Sequence, residues 1–376
     1  MEKRLLFIYY QNIKAGGVSK VLSNLVNELV NEGYKIDILF LMEKHKDFYP
    51  IDYRVTKHYV NSFAYWTWSL TEFNRRRLRF IPKIQSVNNY IYQLGATLLM
   101  NKWLKENHKK YDHIISCWYK LSCTLAINKD VSHKTIAWEH INHQVGGFFY
   151  NNLKSKYKNL KAVVSLTKIG FEYYKKINPK SYVIPNIMSE TFEELEFIPT
   201  HEKENIILMP TRLDHEKNVL DFLEIINDTD LKNWKVKIFG DGTQKDQLLD
   251  FIRQKNMSNV MIYGAISSSD IIKEFKKSKI VCLTSLKEGL PTVLIEAIFS
   301  SNVLIAYDCP SGPAEIINEN NGFLIPLRDK NEFKKQLAYL IENPESLNNL
   351  MKSSFSDSKK WKKKSVIEKW KLILNS

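Results

Sequence analysis

The chain has 376 residues, 44% of them hydrophobic and 26% charged, with 13 glycines and 11 prolines. That balance excludes collagen-like, low-complexity and predominantly disordered chains and fits two domains of ordinary size. The formal net charge of +14 is held unevenly: residues 1–190 carry 29 Lys and Arg against 14 Asp and Glu, and residues 191–376 carry 26 against 27. The first half therefore either attracts phosphates, of nucleic acid, anionic lipid or a phosphorylated substrate, or is a solvated lysine-rich surface.

In chain order, Leu5–Tyr10 follows a basic start but is too short for a secretory signal. It runs into Gln11-Asn12 without a small-residue cleavage site, so it reads as a buried strand. A loop with Gly16 and Gly17 follows. Val18–Glu32 then places Val21, Leu22, Leu25, Val26 and Leu29 at helical spacing, and Gly33 stops the helix. Ile36–Met42 reads as a strand, as do His113–Cys117, Thr135–Trp138 and Ala162–Leu166. Residues 60–110 are less regular, with a helix expected over Tyr90–Leu104. The polar stretch Ser189–Asn205 marks a boundary.

Beyond it, strands at Ile206–Pro210, Val236–Phe239, Val260–Tyr263, Ile280–Thr284 and Val303–Tyr307 alternate with helices at Val219–Asn227, Gln244–Lys255, Ile271–Lys277 and Val293–Phe299. This is an α/β pattern of two Rossmann-like domains in tandem, with ligands expected at the carboxyl ends of parallel strands and a cleft between the domains as the default site. No run approaches 18 apolar residues, so no membrane-spanning helix is expected. Cys117, Cys123, Cys282 and Cys309 form no C-x-x-C pair, and no histidine cluster has metal-ligand spacing. Neither a disulfide framework nor a zinc site is expected, and the cytosol is the default compartment.

The most informative segment runs from Ser285 to Ala297. It follows a strand and opens a helix whose free N–H groups and positive dipole end suit an anion. Glu288 lies in its loop and Glu296 inside its first turns, where a buried carboxylate needs a partner such as a ribose hydroxyl. Arg212 and Lys217 follow the strand ending at Pro210 and offer a bidentate guanidinium and a point charge for phosphate.

Arg212 and Lys217, then Gly240-Asp241-Gly242, then Glu288-x7-Glu296, then Asp308 to Ile317 and Asn321-Gly322, resemble in order and spacing the retaining glycosyltransferases of family 4. The resemblance is nearly continuous from Ile206 to Pro326 and is nearest the subgroup that builds bacterial surface polysaccharides, including lipopolysaccharide and capsule. In the first half it rests on Gly16-Gly17 and on Trp138-Glu139-His140. It implies a GT-B fold, with an acceptor domain at 1–190, a nucleotide-sugar donor domain at 191–355 and a C-terminal helix at 356–376 that crosses back to the first domain, docking through Trp361, Ile367 and Trp370.

The implied reaction moves a hexose or N-acetylhexosamine from a UDP-linked donor to a lipid-linked glycan, with retention and without metal or cofactor. Among the implied roles, Arg212 and Lys217 bind the diphosphate, Glu288 contacts the transferred sugar and Glu296 the ribose. Backbone near Leu290, Pro291 and Thr292, together with Gly240, helps hold the donor. Gly16 and Gly17 allow close approach of the donor phosphate and acceptor, and His140 stands near the reacting carbon. Leu290 departs from the phenylalanine common in the family. A nucleic-acid-modifying transferase and a non-catalytic partner with the same fold are the alternatives, although no nucleic-acid motif is present.

Asp228-Thr229-Asp230 mimics a metal-binding carboxylate pair, but it follows a helix and so lies at the wrong end of the sheet for a ligand. Residues 63–83 interleave Trp66, Trp68, Phe73, Leu78 and Phe80 with Arg75, Arg76, Arg77, Arg79 and Lys83. The segment suits an anionic membrane surface, at the inner face of the plasma membrane for a cytoplasmic enzyme, or else a helix that packs its aromatics into the first domain.

Overall fold

The computed structural model describes residues 3–13, 16–78, 81 and 84–376. The chain divides into two compact units, Met1–Ile184 with Ile367–Ser376, and Pro185–Val366. The sequence reading places its boundaries after residues 190 and 355, whereas the compact units divide after Ile184 and Val366. Arg79, Phe80 and Lys83 lie outside the described residues.

The first unit is built as β1 (Arg4–Tyr9), α1 (Gly17–Asn31), β2 (Lys35–Phe40), β3 (Thr56–Tyr59), α2 (Trp66–Arg77), α3 (Ile84–Asn107), β4 (His113–Ser116), α4 (Tyr119–Ile127), β5 (Thr135–Glu139), α5 (Gly147–Leu153), β6 (Ala162–Ser165), α6 (Lys168–Lys175) and β7 (Ser181–Val183). Its strands pair in parallel in the order β3-β2-β1-β4-β5-β6-β7. A strand covered by helices on both faces needs apolar residues in succession, and Leu5, Leu6, Phe7 and Ile8 of β1 are all buried. Helix α1 buries its expected apolar face, Val21, Leu22, Leu25, Val26 and Leu29.

The second unit runs α7 (Glu190–Glu193), β8 (Ile206–Pro210), α8 (Val219–Asn227), β9 (Lys235–Phe239), α9 (Lys245–Gln254), β10 (Val260–Ile262), α10 (Ser268–Lys277), β11 (Ile280–Leu283), α11 (Thr292–Phe299), β12 (Val303–Asp308), α12 (Pro313–Ile316), β13 (Gly322–Pro326), α13 (Lys330–Glu342) and α14 (Pro344–Asp357). Its parallel sheet has the order β10-β9-β8-β11-β12-β13. One continuous core joins Ile207, Met209, Phe222, Ile238, Ile305 and Phe333.

Two regions differ from the sequence reading. The helix expected from Tyr90 begins at Ile84, the irregular stretch contains α2, and just before that stretch lies a short strand not read in the sequence, β3, whose residues are only partly buried and lack an apolar run. Within residues 63–83 the aromatics divide. Trp68 packs on Phe63 and Tyr92, with ring centroids 4.4 and 5.9 Å away, whereas Trp66 and Phe73 stand exposed.

The last helix, α15 (Lys363–Asn375), ends in the first unit. Ile367, Trp370, Ile373 and Leu374 recur at helical spacing and are all buried, while Trp361 belongs to the second unit. The Trp370 ring meets Trp138 edge-on at 5.4 Å, and the carbonyl of Leu374 accepts from Lys3 Nζ at 2.5 Å and lies 2.9 Å from His113 Nε2. Removing an aromatic ring of this size from a core costs about 3–5 kcal/mol. Trp370→Ala should therefore lower the urea midpoint of the first unit markedly, while Leu372→Ser, at a position 73% exposed, should leave it unchanged.

Candidate active site

In the second unit, successive connections run to opposite sides of β8, so the sheet has its switch point between β8 and β11. Open parallel sheets bind ligands outside the carboxyl ends of the strands at such a point. Residue Arg212 follows β8, pairs with Asp214 at 2.6 Å, and its side chain is 66% exposed. Lys217 closes a short 3-10 turn, and Asn218, at φ 51°, swings the chain into α8. The Lys217 ammonium donates to Glu288 Oε1 at 2.5 Å, with both side chains largely withdrawn from water.

Hydrogen bonds behind this pair fix the loops that carry it. The Thr284 hydroxyl, just past β11, donates to the carbonyls of Lys217 and Asn218 at 3.3 and 3.0 Å. Leu286 N–H donates to Glu216 O at 2.9 Å. From the loop after β12, the Ser311 hydroxyl donates to Glu288 O at 2.8 Å. Gly312 has φ 98°, and a Cβ there would stand 2.4 Å from Gly289 O, so only glycine permits the two loops to lie together.

Leu290 and Pro291 are buried in the turn, and Thr292 opens α11 without a side-chain cap, leaving first-turn N–H groups and the positive dipole end at the same place. Glu296 lies one turn further and is buried with a partner. At Gly240 a Cβ would stand 1.7 Å from Thr211 O, so this glycine lets the loop after β9 press against the Arg212 loop. Its role in this geometry is to position its neighbour.

Sequence reasoning missed several groups. Thr211 Oγ1 and Ser285 Oγ, directly after β8 and just beyond β11, are buried and have no hydrogen-bond partner among the described residues. A hydroxyl following a buried strand was the available signal. Cys309 is buried beside the ion pair, and burial, with Glu288 nearby, pushes its thiol up to about 12, so it stays neutral. Asp228 and Asp230 lie in an exposed turn between α8 and β9. Among the described residues, no three His, Cys, Asp or Glu side chains are grouped to hold a metal ion.

In the first unit the corresponding switch point lies between β1 and β4. A cavity of about 480 Å³ opens there, lined by Tyr9 at the end of β1, Tyr10 and Gln11 beyond it, Trp118 and Lys120 after β4, and Trp68, Asn89, Tyr92 and Gln93 from α2 and α3. Tyr10 donates to Gln93 Oε1. A smaller cavity shares Asn89 and Lys120 and adds Tyr90, Tyr119 and Tyr150. Among the described residues, Lys120 is the one of formal charge lining either cavity. Its ammonium stands 5.5 Å from the centre of the Tyr150 ring, and burial lowers its pKa.

Gly16 is extended, a conformation open to any residue, and a Cβ on Gly17 would meet nothing within 4 Å. The backbone conformation at Gly16 and the space around Gly17 therefore do not by themselves require glycine. His140 follows β5 and packs on Trp138 at 4.2 Å. Burial pushes it down to about 3, so it is neutral near pH 7, and its Nε2 has no partner among the described residues. The adjacent Glu139 is buried but satisfied, accepting from Tyr157 and Tyr174 at 2.8 and 3.3 Å.

Residues 191–356 match the family model for glycosyl transferases group 1. The chain is 26% identical to the amylovoran biosynthesis glycosyltransferase AmsD of Erwinia amylovora, over 99% of each chain. It is 30% identical, over 48% of its length and 51% of the other, to a Campylobacter jejuni protein named GalNAc-alpha-(1->4)-GalNAc-alpha-(1->3)-diNAcBac-PP-undecaprenol alpha-1,4-N-acetyl-D-galactosaminyltransferase. Across 100% of both chains the fold is similar to TarM of Staphylococcus aureus, solved with fondaparinux, alpha-GlcNAc-glycerol and UDP, at a TM-score of 0.74 and 15% identity. The two Rossmann-like sheets are those of the GT-B fold.

Burial of His113 and His140 should make the first unit acid-sensitive. His113, like His140, has its pKa lowered by burial, to about 4. Both folded values lie below the ordinary value near 6.5, so the unfolded chain binds more protons in between. Their contribution is fully present above about pH 6.5 and is lost as pH falls toward 4 and then 3. Between pH 7.5 and 5, His140 alone should remove on the order of 2 kcal/mol of stability. Urea unfolding of His140→Gln should show a correspondingly flatter pH dependence than the parent chain.

Proposed function

We propose, for a chain whose second unit is a glycosyl transferases group 1 domain, a retaining and metal-independent transfer of a hexose or N-acetylhexosamine from a UDP-linked donor to a lipid-linked surface glycan. The observation that carries this reading is the Lys217–Glu288 pair, held at the β8/β11 switch point beside the uncapped start of α11. One ammonium N–H is engaged by Glu288, which leaves the others for the donor diphosphate. Arg212, exposed to water, closes on the same anion. Glu288 faces the sugar, Glu296 the ribose, and the hydroxyls of Thr211 and Ser285 add neutral donors.

As the anomeric carbon–oxygen bond breaks, its electron pair passes to the diphosphate. Lys217, Arg212 and the α11 N–H groups stabilise that growing charge without reorganising. The acceptor hydroxyl attacks from the face the diphosphate leaves, and its proton passes to the departing phosphate oxygen. This course retains configuration and asks nothing of Glu288 as a nucleophile. His140, neutral and with Nε2 unpartnered, acts as a hydrogen-bonding group toward the sugar. No further cofactor enters the scheme.

The unit-1 cavity supports a glycan acceptor. Aromatic faces accept sugar rings, and Gln11, Asn89 and Gln93 offer hydrogen bonds to hydroxyls. The relatives support a surface glycan as the product, and the undecaprenol-linked substrate named for the Campylobacter protein supports the lipid-linked form. The enzyme would then work from the cytoplasmic side of the membrane, where nucleotide sugars are found.

The test is transfer or donor hydrolysis over a panel of nucleotide sugars, run with and without EDTA. Lys217→Ala, Glu288→Ala and Arg212→Ala should each lower kcat/KM by about 100- to 1000-fold, the loss expected for one transition-state charge contact. Asp228→Asn should be silent. Full activity in all three variants would overturn the site, loss of activity in EDTA the metal independence, and an inverted anomeric centre in the product the retaining course.

A further inference from the structure

Helix α2 buries polar residues and exposes apolar ones, and α3, which buries Ala96, Met100 and Leu104 in the core, carries a second apolar stripe on its outer side. Three polar residues of α2, Thr67, Thr71 and Asn74, are buried, whereas Trp66, Leu70 and Phe73, spaced four and three residues apart, are 56%, 39% and 55% exposed. Along α3, Val87, Tyr90, Leu94 and Leu98 recur at three and four residues and are all 43% exposed or more. Away from the Trp68–Tyr92 contact, the seam between the helices is polar and close: Asn74 donates to Asn88 at 3.0 Å, and a Cβ on Gly95 would stand 1.9 Å from Thr67 Oγ1. Small and polar residues between helices with apolar residues outside reverse the rule for a surface in water and match helices whose outer solvent is apolar.

No described helix is long and apolar enough to cross a membrane. A helix pair with an apolar face and a cationic end lies instead in the plane of the interface. The cationic end is present: Arg75, Arg76 and Arg77 close α2, against the single carboxylate of Glu72, which pairs with the first two. The apolar face continues through Tyr90 to Phe149 of α5, whose ring meets it edge-on at 6.3 Å. The strong positive excess of this half favours an anionic surface over a second copy of the same basic face.

We propose that the outer face of the α2–α3 pair docks onto an anionic lipid bilayer, with Trp66, Phe73, Leu94 and Leu98 entering the headgroup boundary and Arg75–Arg77 holding lipid phosphates. The inference rests on these exposures and not on the transfer reaction, so either can fail alone. The opposite side of the same helices, through Trp68, Asn89, Tyr92 and Gln93, walls the unit-1 cavity, which brings that cavity to the lipid surface.

The test is sedimentation of the full chain with phosphatidylcholine vesicles, with and without one-quarter phosphatidylglycerol, at low and moderate salt. Binding should require phosphatidylglycerol, weaken with salt, and blue-shift the tryptophan emission. A Trp66→Ser, Phe73→Ser, Leu94→Ser variant should bind at least about 10-fold more weakly, as should an Arg75→Ser, Arg76→Ser, Arg77→Ser variant, since each basic residue near an anionic surface contributes roughly fivefold. All replaced residues are exposed, so melting temperature and water-soluble donor hydrolysis should not change. Absence of vesicle binding by the parent chain, binding unaltered in both variants, or a dimer abolished by the apolar variant would overturn the proposal; the last would give the face to a second copy.

Discussion

A largely buried ion pair organises the second unit. Taking an ammonium and a carboxylate out of water is unfavourable unless geometry and further hydrogen bonds offset it. For Lys217 and Glu288 that offset is distributed over three loops: Thr284 on the carbonyls of Lys217 and Asn218, Leu286 on Glu216, and Ser311 on Glu288. The glycines follow from the same constraint. Gly312 and Gly240 sit where backbones touch, and a methyl group at either would push apart the loops that hold Glu288 or Arg212. The pair is better understood as a fixed geometry than as a source of stability.

The far end of α11 is anchored as carefully as its start. Lys203, buried, donates to the carbonyls of Phe275, Ser278 and Ser300 at 3.2, 2.8 and 2.5 Å, where α10 and α11 end. Asn302 adds bonds to Phe275 and Ser278 at 3.0 and 2.6 Å. Burial pushes the Lys203 ammonium down to about 7, yet three carbonyls at two negative dipole ends are the partners an ammonium needs. A cation at one end of α11 and an uncapped start at the other orient the helix so that its positive end faces the candidate site.

Much of this was legible in the sequence where burial and periodicity agree. The apolar run Leu5–Ile8, the face Val21–Leu29 and the strand–loop–helix grammar around Ser285–Ala297 each say one thing at every level. Illegibility had particular causes. Strand β3 is half-buried at the sheet edge and carries no apolar run. The function of Gly240 depends on Thr211, 29 positions away in the chain and revealed only by contact. The hydroxyls of Thr211 and Ser285 are ordinary residues until burial strips them of partners. Helix α2 was illegible for a deeper reason: reading periodicity assumes that apolar residues point inward, and Trp66, Leu70 and Phe73 do not, while α3 buries one apolar face and exposes another.

That reversal gives one pair of helices two surroundings at once. Along α3, Leu94 and Leu98 face outward while Asn89, Tyr92 and Gln93 line a polar and aromatic cavity. The 3.6-residue period separates the two faces cleanly except at Tyr90, which is 51% exposed, stacks parallel to Tyr150 at 6.3 Å and lines the smaller cavity. The Tyr150 ring on which it stacks also has the Lys120 ammonium 5.5 Å from its centre, and Lys120 lines the same cavity. A molecule with an apolar tail, an anionic joint and sugar rings has the same order of chemistries along its length. Under the proposed docking and the proposed glycan acceptor, Tyr90 is the side chain at which a lipid surface and a sugar-binding cavity would meet.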